Sequence, residues 1–430
     1  MKKHKKMTPA RFIVLAFSSV ITLGAIILLL PISANEGVKI SVIDAFFTAT
    51  SAVCITGLAV KDTADTFNAF GQTVVALLIQ IGGLGVTSVG VGFILLAGKK
   101  ITFRERVMLK ESMNLDSMRG IVKIVKSVLL LTLCFELVGA ILSFLVFSKD
   151  YPLGKAIGIS LFHSISSFNN AGFDIIGGFR GLIPYQSNVL LNLTTCGLII
   201  FGGLGFFVIK EIIEKKKFKK FSLHSKVVLT MTAVLLVIGT LLIKLTEDIT
   251  WLGAFFHSTA ARTAGFSTYP IGTLSNASLF VLMILMFIGA SPGSTGGGVK
   301  TTTAFILIKS AYSVSVNKHC MAFKRKIPNE IIMKAFVITA LSSFLIITDT
   351  LILTIIQPQY TFEQLLFEVI SAFGTVGLST GITPDLSGLS RVIIILTMFT
   401  GRLGAMTMAS IWINKQISNV SYTEENITIG

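Results

Sequence analysis

The sequence is poor in charged residues, in proline and in cysteine. Charged side chains make up 13% of the 430 residues, about half the share found in soluble domains, whereas 52% are hydrophobic and the mean hydropathy is +0.81. This balance excludes an ordinary soluble enzyme. The 9 prolines are too few for a disordered or collagen-like chain, and the 4 widely separated cysteines exclude a disulfide framework or a zinc site.

Long apolar stretches are abundant, and they predict an all-α integral membrane protein. Eight stretches are long enough to span a bilayer, at residues 11–30, 70–97, 121–147, 188–209, 226–245, 279–310, 331–356 and 391–413. Four shorter stretches that carry Ser, Thr, Asn or His lie between successive pairs of spans, at residues 42–58, 157–173, 251–266 and 362–378. Such polar stretches enter a membrane only where protein or water covers their backbone. We therefore predict short re-entrant helices followed by extended returns.

Basic residues cluster on one side of the predicted membrane. Of the 37 Lys and Arg residues, 27 lie in the N-terminus, in the connections after the second, fourth and sixth spans, and at Lys415. The positive-inside rule makes that side cytoplasmic, which predicts a multi-pass protein of the cell membrane with both termini in the cytoplasm. The net charge of +16 then reflects topology and contact with anionic lipid, and no nucleic acid is expected to bind.

The four short stretches are copies of one motif. Each has a glycine anchor, a hydroxyl residue six positions earlier and a phenylalanine ten positions earlier. The anchors are Gly57, Gly172, Gly265 and Gly377, and the hydroxyl residues are Ser51, Ser166, Thr259 and Ser371. The chain is therefore predicted to consist of four tandem span–pore loop–span repeats, at residues 1–97, 98–210, 211–312 and 313–430, the last with a C-terminal tail.

Two spans per repeat give all four repeats the same orientation, so they can surround one pseudo-fourfold axis along the membrane normal. Glycine accepts positive φ, which lets successive carbonyl groups face that axis. Carbonyl oxygens and the negative ends of short helices, without a ring of carboxylates, suit a partly dehydrated monovalent cation. The predicted potassium-type filter contains no acidic residue and consists of Ile55, Thr56, Gly57, Asn170, Ala171, Gly172, Thr263, Ala264, Gly265, Thr375, Val376 and Gly377.

The motifs around these glycines resemble those of the Trk/Ktr/HKT family of potassium transporters, most of all its Ktr-type membrane subunits. The resemblance is carried by NAGF at 170–173, ARTAGFST at 261–268, GTVGLST at 374–380, GASPGSTGGGVKTTT at 289–303 and GRLGAMT at 401–407. It implies a single-filter pore for K⁺ uptake, with Na⁺ as a candidate activator and no cofactor bound by this chain. It also implies a homodimer controlled by a cytosolic nucleotide-binding ring. A family glycine that is serine in sodium-permeable members is Gly57 here.

A glycine-rich run, residues 289–298, interrupts the sixth predicted span. Poor helix formers between apolar flanks predict that the span unwinds there; a packing seam of small residues is the alternative. A phosphate-binding loop does not fit, because the lysine comes one residue too late and no strand precedes it. The family resemblance implies that this loop obstructs the pore below the filter. The predicted gate consists of Gly293, Ser294, Thr295, Gly296, Gly297, Gly298, Lys300 and Arg402.

Arg402 lies near the middle of the last predicted span, where an arginine costs roughly 2.5–3.5 kcal/mol on insertion. We predict that it faces the pore as an electrostatic gate; a structural arginine held by carbonyl groups of the broken helix is the alternative, and both roles are compatible. Lys300 is either a second gate residue or a solvated vestibule lysine.

Arg262 is expected to point behind the filter toward a carboxylate, for which Glu136 and Asp349 are candidates. His163 and His257 are expected to be hydrogen-bonded scaffold residues.

Two other function classes are weighed against the pore. An ion-coupled secondary transporter of a small solute would have a midplane site, but such folds usually show inverted or two-fold repeats. An intramembrane enzyme would need a Ser/His, paired-Asp or metal arrangement, which the sequence lacks.

Overall fold

The structure, a computed structural model, describes residues 9–96, 101–112, 120–410 and 425. Within these ranges the chain forms eighteen α-helices, five single turns of 3₁₀ helix and one short β-hairpin. The predicted all-α membrane fold is thereby confirmed. The basic residues at positions 2–6, Lys415 and the predicted C-terminal tail apart from Glu425 lie outside the described residues.

The first two repeats contain ten of the helices. They are α1 (Pro9–Leu29), α2 (Val42–Val53), α3 (Thr63–Thr66), α4 (Ala69–Leu84), α5 (Val86–Leu96), α6 (Phe103–Ser112), α7 (Ile121–Phe147), α8 (Leu153–Phe168), α9 (Val189–Leu204) and α10 (Phe206–Lys215). The last two repeats contain α11 (Leu223–Thr246), α12 (Trp251–Ala260), α13 (Asn276–Phe287), α14 (Thr301–Ser315), β1 (Met321–Ala322), β2 (Arg325–Lys326), α15 (Asn329–Ile356), α16 (Phe362–Gly374), α17 (Gly388–Leu403) and α18 (Ala405–Ser410).

The first span of every repeat is a single uninterrupted helix. Helices α1, α7, α11 and α15 are each long and apolar enough to cross a membrane. The second span of every repeat begins at a side-chain cap, whose oxygen accepts a hydrogen bond from a backbone amide in the first turn. The caps are Asn68, Asn188, Ser275 and Ser387.

The second spans are not straight, which corrects the prediction of continuous spans over 70–97, 188–209 and 391–413. Helices α4 and α5 meet at 100° across Gly85, and α9 and α10 meet at 96° across Gly205. Helix α17 likewise ends at Gly404. The three glycines have φ values of 82°, 90° and 87°, a left-handed region that residues with a side chain rarely adopt. Each is the last residue of a GGLG or GRLG motif.

The short helices α2, α8, α12 and α16 occupy the centre of the molecule. Each packs against the second span of its own repeat and against that of the preceding repeat. Helix α2 connects the first repeat to the last, because it packs against α4 of the first repeat and α17 of the fourth. An ion pair between Asp44 of α2 and Arg391 of α17 links the same two repeats. Four like-oriented repeats therefore surround one axis, and the extended segments after the short helices meet there.

Candidate functional site

The four extended segments share one unusual backbone conformation. The anchor glycines have φ values of 83° (Gly57), 71° (Gly172), 70° (Gly265) and 96° (Gly377). The residues two positions earlier also have positive φ, at 54° (Ile55), 58° (Asn170), 82° (Thr263) and 50° (Thr375). Positive φ at alternate residues turns successive carbonyl groups toward the same side of the chain.

The glycines form a closed ring, in which each one touches a carbonyl group of the next repeat. A Cβ atom on Gly57 would lie 2.4 Å from the carbonyl oxygen of Ala171, and one on Gly172 would lie 2.6 Å from that of Ala264. A Cβ atom on Gly265 would lie 2.2 Å from the carbonyl oxygen of Val376, and one on Gly377 would lie 2.1 Å from that of Thr56. Glycine is therefore needed at all four positions by close contact as well as by φ.

Backbone hydrogen bonds hold each segment to the helix that precedes it. The amide nitrogens of Thr56, Ala171 and Val376 donate to the carbonyl oxygens of the hydroxyl residues Ser51, Ser166 and Ser371, at 2.8, 2.8 and 2.9 Å. In the third repeat the equivalent amide, that of Ala264, donates instead to the carbonyl of Ala260 at 2.9 Å, and the amide of Gly265 donates to the same carbonyl at 3.2 Å. Only in the fourth repeat, among the described residues, does the repeated hydroxyl group itself contact the segment: Ser371 Oγ accepts from the amide of Gly377 at 3.0 Å.

A cavity of about 440 Å³ opens on one side of the ring, between the loops that follow the filter segments. All four anchor glycines line it, together with the acidic residues Asp62 and Asp174 and the basic residue Arg180. Burial raises the pKa of Asp174 to about 6, and the nearby Asp62 adds to this effect against a hydrogen bond from the amide of Ile176. The wall of this vestibule thus combines the anchor glycines with a few charged groups.

The glycine-rich loop lies on the other side of the ring. Helix α13 ends at Phe287 and α14 begins at Thr301, so the predicted break is present. The amide nitrogen of Gly297 donates to Thr375 Oγ1 at 3.0 Å. A Cβ atom on Gly296 would lie 2.3 Å from Thr263 Oγ1, and one on Gly297 would lie 2.4 Å from Thr375 Oγ1. The loop therefore touches the first residue of two filter segments and leaves no room for side chains between them.

Backbone hydrogen bonds anchor the loop at its base and against the second repeat. The amide of Gly289 donates to the carbonyl of Val299 at 2.8 Å, which brings the two ends of the loop together. The amide of Ser291 donates to Gly203 at 3.1 Å, and that of Phe206 donates to Gly293 at 3.1 Å. The loop is thus attached at the bend between α9 and α10.

Both predicted cationic gate residues contact carbonyl groups of this loop. The Lys300 ammonium donates to the carbonyls of Gly296 at 2.6 Å and Gly297 at 3.3 Å, so its charge is engaged by the loop itself. The Arg402 guanidinium donates to the carbonyls of Thr295 and Gly82, with Gly83 at 3.4 Å. Arg402 therefore joins the loop, the bend of the first repeat and the last span.

The carboxylate partner expected for Arg262 is not found, because the candidate residues bind other groups. Among the described residues, no carboxylate forms an ion pair with Arg262, whose guanidinium contacts Thr232 Oγ1 at 3.4 Å. Glu136 accepts from Asn169 at 3.0 Å, and Asp349 accepts from Thr397 at 2.6 Å, so neither is the expected partner.

The two buried histidines make the kind of contact expected of scaffold residues. His163 hydrogen-bonds Thr195 at 2.9 Å, and His257 contacts Thr268 at 3.5 Å.

Sequence reasoning missed three features of the site. It did not find the bends at Gly85 and Gly205 or the helix break at Gly404, although the GGLG and GRLG motifs are present in the sequence. It also missed the contact between α4 and the second filter segment, where Asn169 donates to Gln80 at 2.9 Å. It missed Glu368 in α16, which is fully buried beside the fourth filter segment.

The fold and the ring define a multi-pass membrane transport protein with four pore-loop repeats. A family model described as TrkH, a cation transport protein, matches residues 2–251 and 226–420. The chain therefore belongs to the TrkH family of cation transport proteins. The resemblance seen in the sequence motifs is confirmed, and so is the prediction that the chain is not an enzyme.

Several characterised relatives and one solved structure are similar over nearly their whole length. The potassium/sodium uptake protein NtpJ of Enterococcus hirae is 38% identical over 450 residues, covering 100% of this chain and 99% of that protein. The Ktr system potassium uptake protein B of Bacillus subtilis is 36% identical over 442 residues, covering 100% and 98%. The crystal structure of the potassium transporter TrkH from Vibrio parahaemolyticus has a TM-score of 0.76 at 18% identity, covering 96% of this chain and 88% of that chain.

Proposed function

We propose that this chain takes up K⁺ across the cell membrane through the ring of carbonyl groups between the four anchor glycines. The observation that carries the proposal is the closure of that ring, in which each glycine touches a carbonyl oxygen of the next repeat. The names of the relatives, which are potassium or potassium/sodium uptake proteins, support K⁺ as the transported ion.

The chemistry of the ring favours a monovalent cation. Carbonyl oxygens replace the water molecules of a partly dehydrated ion, and the filter segments contribute no carboxylate that would favour a divalent ion. We propose as filter residues those predicted from the repeated motif. The segments differ in side chain at the inner end, where Ile55, Asn170, Thr263 and Thr375 stand, so the innermost site is less symmetric than the ring of backbone carbonyls.

The glycine-rich loop, Lys300 and Arg402 are proposed as the gate. The loop contacts Thr263 and Thr375 directly below the ring, so an ion leaving the filter meets it next. Arg402 holds the loop to the first repeat through hydrogen bonds to carbonyl groups. Lys300, at the C-terminal end of the loop, donates a hydrogen bond back to a carbonyl group of the loop. Release of these bonds would let the loop move aside, and both positive charges raise the electrostatic barrier while it stays.

Control of the gate is proposed to come from other chains. The proposed assembly is a homodimer bound to a cytosolic nucleotide-binding ring, and relatives named as members of a Ktr system support a system of several components. Both termini are proposed to lie in the cytoplasm, with the basic loops against anionic lipid. Na⁺ is proposed as an activator, and no cofactor is proposed for this chain.

Rubidium uptake into proteoliposomes tests the function. The purified chain and an Arg402→Ala variant, which removes the proposed tether of the loop, are compared with K⁺ or Na⁺ as the competing ion. The proposal predicts uptake that K⁺ blocks at much lower concentration than Na⁺. Equal block by both ions in the open variant would refute a potassium-selective filter, and saturation by an organic solute would favour a secondary transporter instead.

A further inference from the structure

The most buried carboxylate in the described part of the chain is that of Glu368, in the middle of α16. Its exposed fraction is 0%, compared with 5% for Asp44 and 8% for Asp62. A carboxylate so far from water is costly unless several donors satisfy it. The donors that satisfy Glu368 all belong to one stretch of chain.

That stretch is the exit segment of the fourth repeat, residues 378–383, which follows the filter glycine Gly377. Thr383 Oγ1 donates to Glu368 Oε2 at 2.9 Å, and the amide of Thr380 donates to Oε1 at 3.2 Å. Ser379 Oγ also donates to Oε1. Three successive attachment points fix the course of the exit segment relative to α16.

A second contact, made by the third repeat, restricts the position of the exit segment. A Cβ atom on Gly272, in the third repeat, would lie 2.6 Å from the carbonyl oxygen of Thr380. Thr380 is therefore held between the Glu368 carboxylate at its amide and the backbone of the third repeat at its carbonyl. The exit segment also lines the vestibule, so its position determines the shape of the outer mouth of the filter.

In the described part of the chain, the short helices of the other three repeats make no equivalent attachment through a carboxylate. Nine residues before their anchor glycines stand Thr48, His163 and Phe256. The His163 side chain contacts Thr195 and Ser167, in a span and in its own helix, and Phe256 has no polar group. In the third repeat the neighbouring His257 reaches Thr268 of its exit segment at only 3.5 Å.

We propose that Glu368 is a positioning residue that fixes the outer part of the fourth filter segment and thereby determines how well the ring discriminates K⁺ from the smaller Na⁺. The inference rests on the proposed function, because it concerns the selectivity of the same ring. Carbonyl oxygens that cannot move inward hold a larger ion better than a smaller one. An acceptor that three donors satisfy restrains the exit segment more strongly than a single hydrogen bond would.

Equilibrium binding of rubidium to the purified full-length chain tests this role without requiring an open gate. K⁺ and Na⁺ compete with rubidium, and the ratio of their dissociation constants is measured for the wild type, Glu368→Gln and Thr383→Val. Glu363→Gln is the matched control, because Glu363 lies in the first turn of the same helix and is only half-buried. We expect the Na⁺/K⁺ ratio to fall by roughly tenfold in Glu368→Gln, about the effect of one lost hydrogen bond, and to stay unchanged in the control.

The outcomes separate the two proposals. A wild-type chain that binds Na⁺ as well as K⁺ overturns the proposed function. A selective wild type whose ratio is unchanged in Glu368→Gln and Thr383→Val overturns the role of Glu368 alone. A structural role without influence on the filter would lower thermal stability and leave the ratio intact. If Glu368→Gln does not yield folded protein, Thr383→Val, which keeps the carboxylate, decides the question.

Discussion

The two ends of the filter differ in symmetry. At the ring, four segments share the same φ pattern and every glycine meets a carbonyl oxygen of the next repeat. Below it, the second spans of the first two repeats bend sharply at a glycine and that of the last repeat is interrupted at Gly404. The second span of the third repeat instead opens into the loop of residues 288–300. Repetition is kept at the ring, where the proposed filter would surround an ion with four equivalent carbonyl groups, and it is broken at the proposed gate.

The largest effect is expected when a side chain is added to the ring, because it disturbs the symmetric end of the filter. In Gly265→Ser the new Cβ would lie 2.2 Å from the Val376 carbonyl oxygen, at a φ of 70°. Strain of about 2 kcal/mol is expected, which corresponds to roughly a thirtyfold loss in preference for K⁺ over Na⁺. Rubidium uptake with competing ions measures it. Gly158→Ser is the control, because a Cβ there meets nothing within 4 Å; an unchanged preference in folded Gly265→Ser would contradict the ring.

Removing the tether below the ring should affect flux rather than selectivity. Arg402→Ala loses the hydrogen bonds to Thr295 and Gly82. Basal rubidium flux is expected to rise roughly tenfold, because each hydrogen bond to a charged group contributes about 1.5–3 kcal/mol. The K⁺/Na⁺ preference should not change. Arg402→Lys keeps the charge without the bidentate geometry, so flux as high as in Arg402→Ala assigns the effect to the tether. Folded Arg402→Ala with wild-type flux would contradict the gate.

Lys300 holds one end of the loop only, so its loss should matter less. In Lys300→Met the bonds to the carbonyls of Gly296 and Gly297 disappear, while Arg402 still holds Thr295. An increase in basal flux of roughly threefold is expected, in keeping with one lost charge-assisted bond that is partly replaced by water. Lys309→Met, in the same helix α14, is the control. Equal flux in the two variants would return Lys300 to the role of a solvated vestibule lysine.

The smallest effect is expected in the vestibule above the ring. The pKa of Asp174 is raised to about 6, so its carboxylate is charged above that pH and neutral below it. Acidification of the outer solution from about pH 7.5 to about pH 5 should lower rubidium uptake about twofold, because a nearby negative charge that attracts cations is lost. Asp174→Asn should remove this pH dependence, and the exposed Glu36→Gln should retain it. A pH response that persists in Asp174→Asn would contradict its assignment to Asp174.

The ring could be predicted from the sequence because it depends on local properties. Four glycines at the same distance from a hydroxyl residue and a phenylalanine report both the repeat and its backbone conformation. The break in the third repeat was also predictable, since poor helix formers are concentrated there.

The remaining features depend on contacts that have no local signature. Arg402 meets Gly82, which lies 320 positions away, and the partners of Glu368 follow the filter rather than precede it. The bends at Gly85 and Gly205 were missed for a different reason, because a small-residue motif inside an apolar span also suits tight helix packing.

The most direct test of the account is the location of bound ions in crystals grown with rubidium, followed by anomalous difference density. We predict a peak on the axis, between the carbonyl oxygens of Thr56, Ala171, Ala264 and Val376, that K⁺ in the soaking solution displaces more readily than Na⁺. Ordered rubidium elsewhere in the membrane region with none inside the ring would contradict the carbonyl filter.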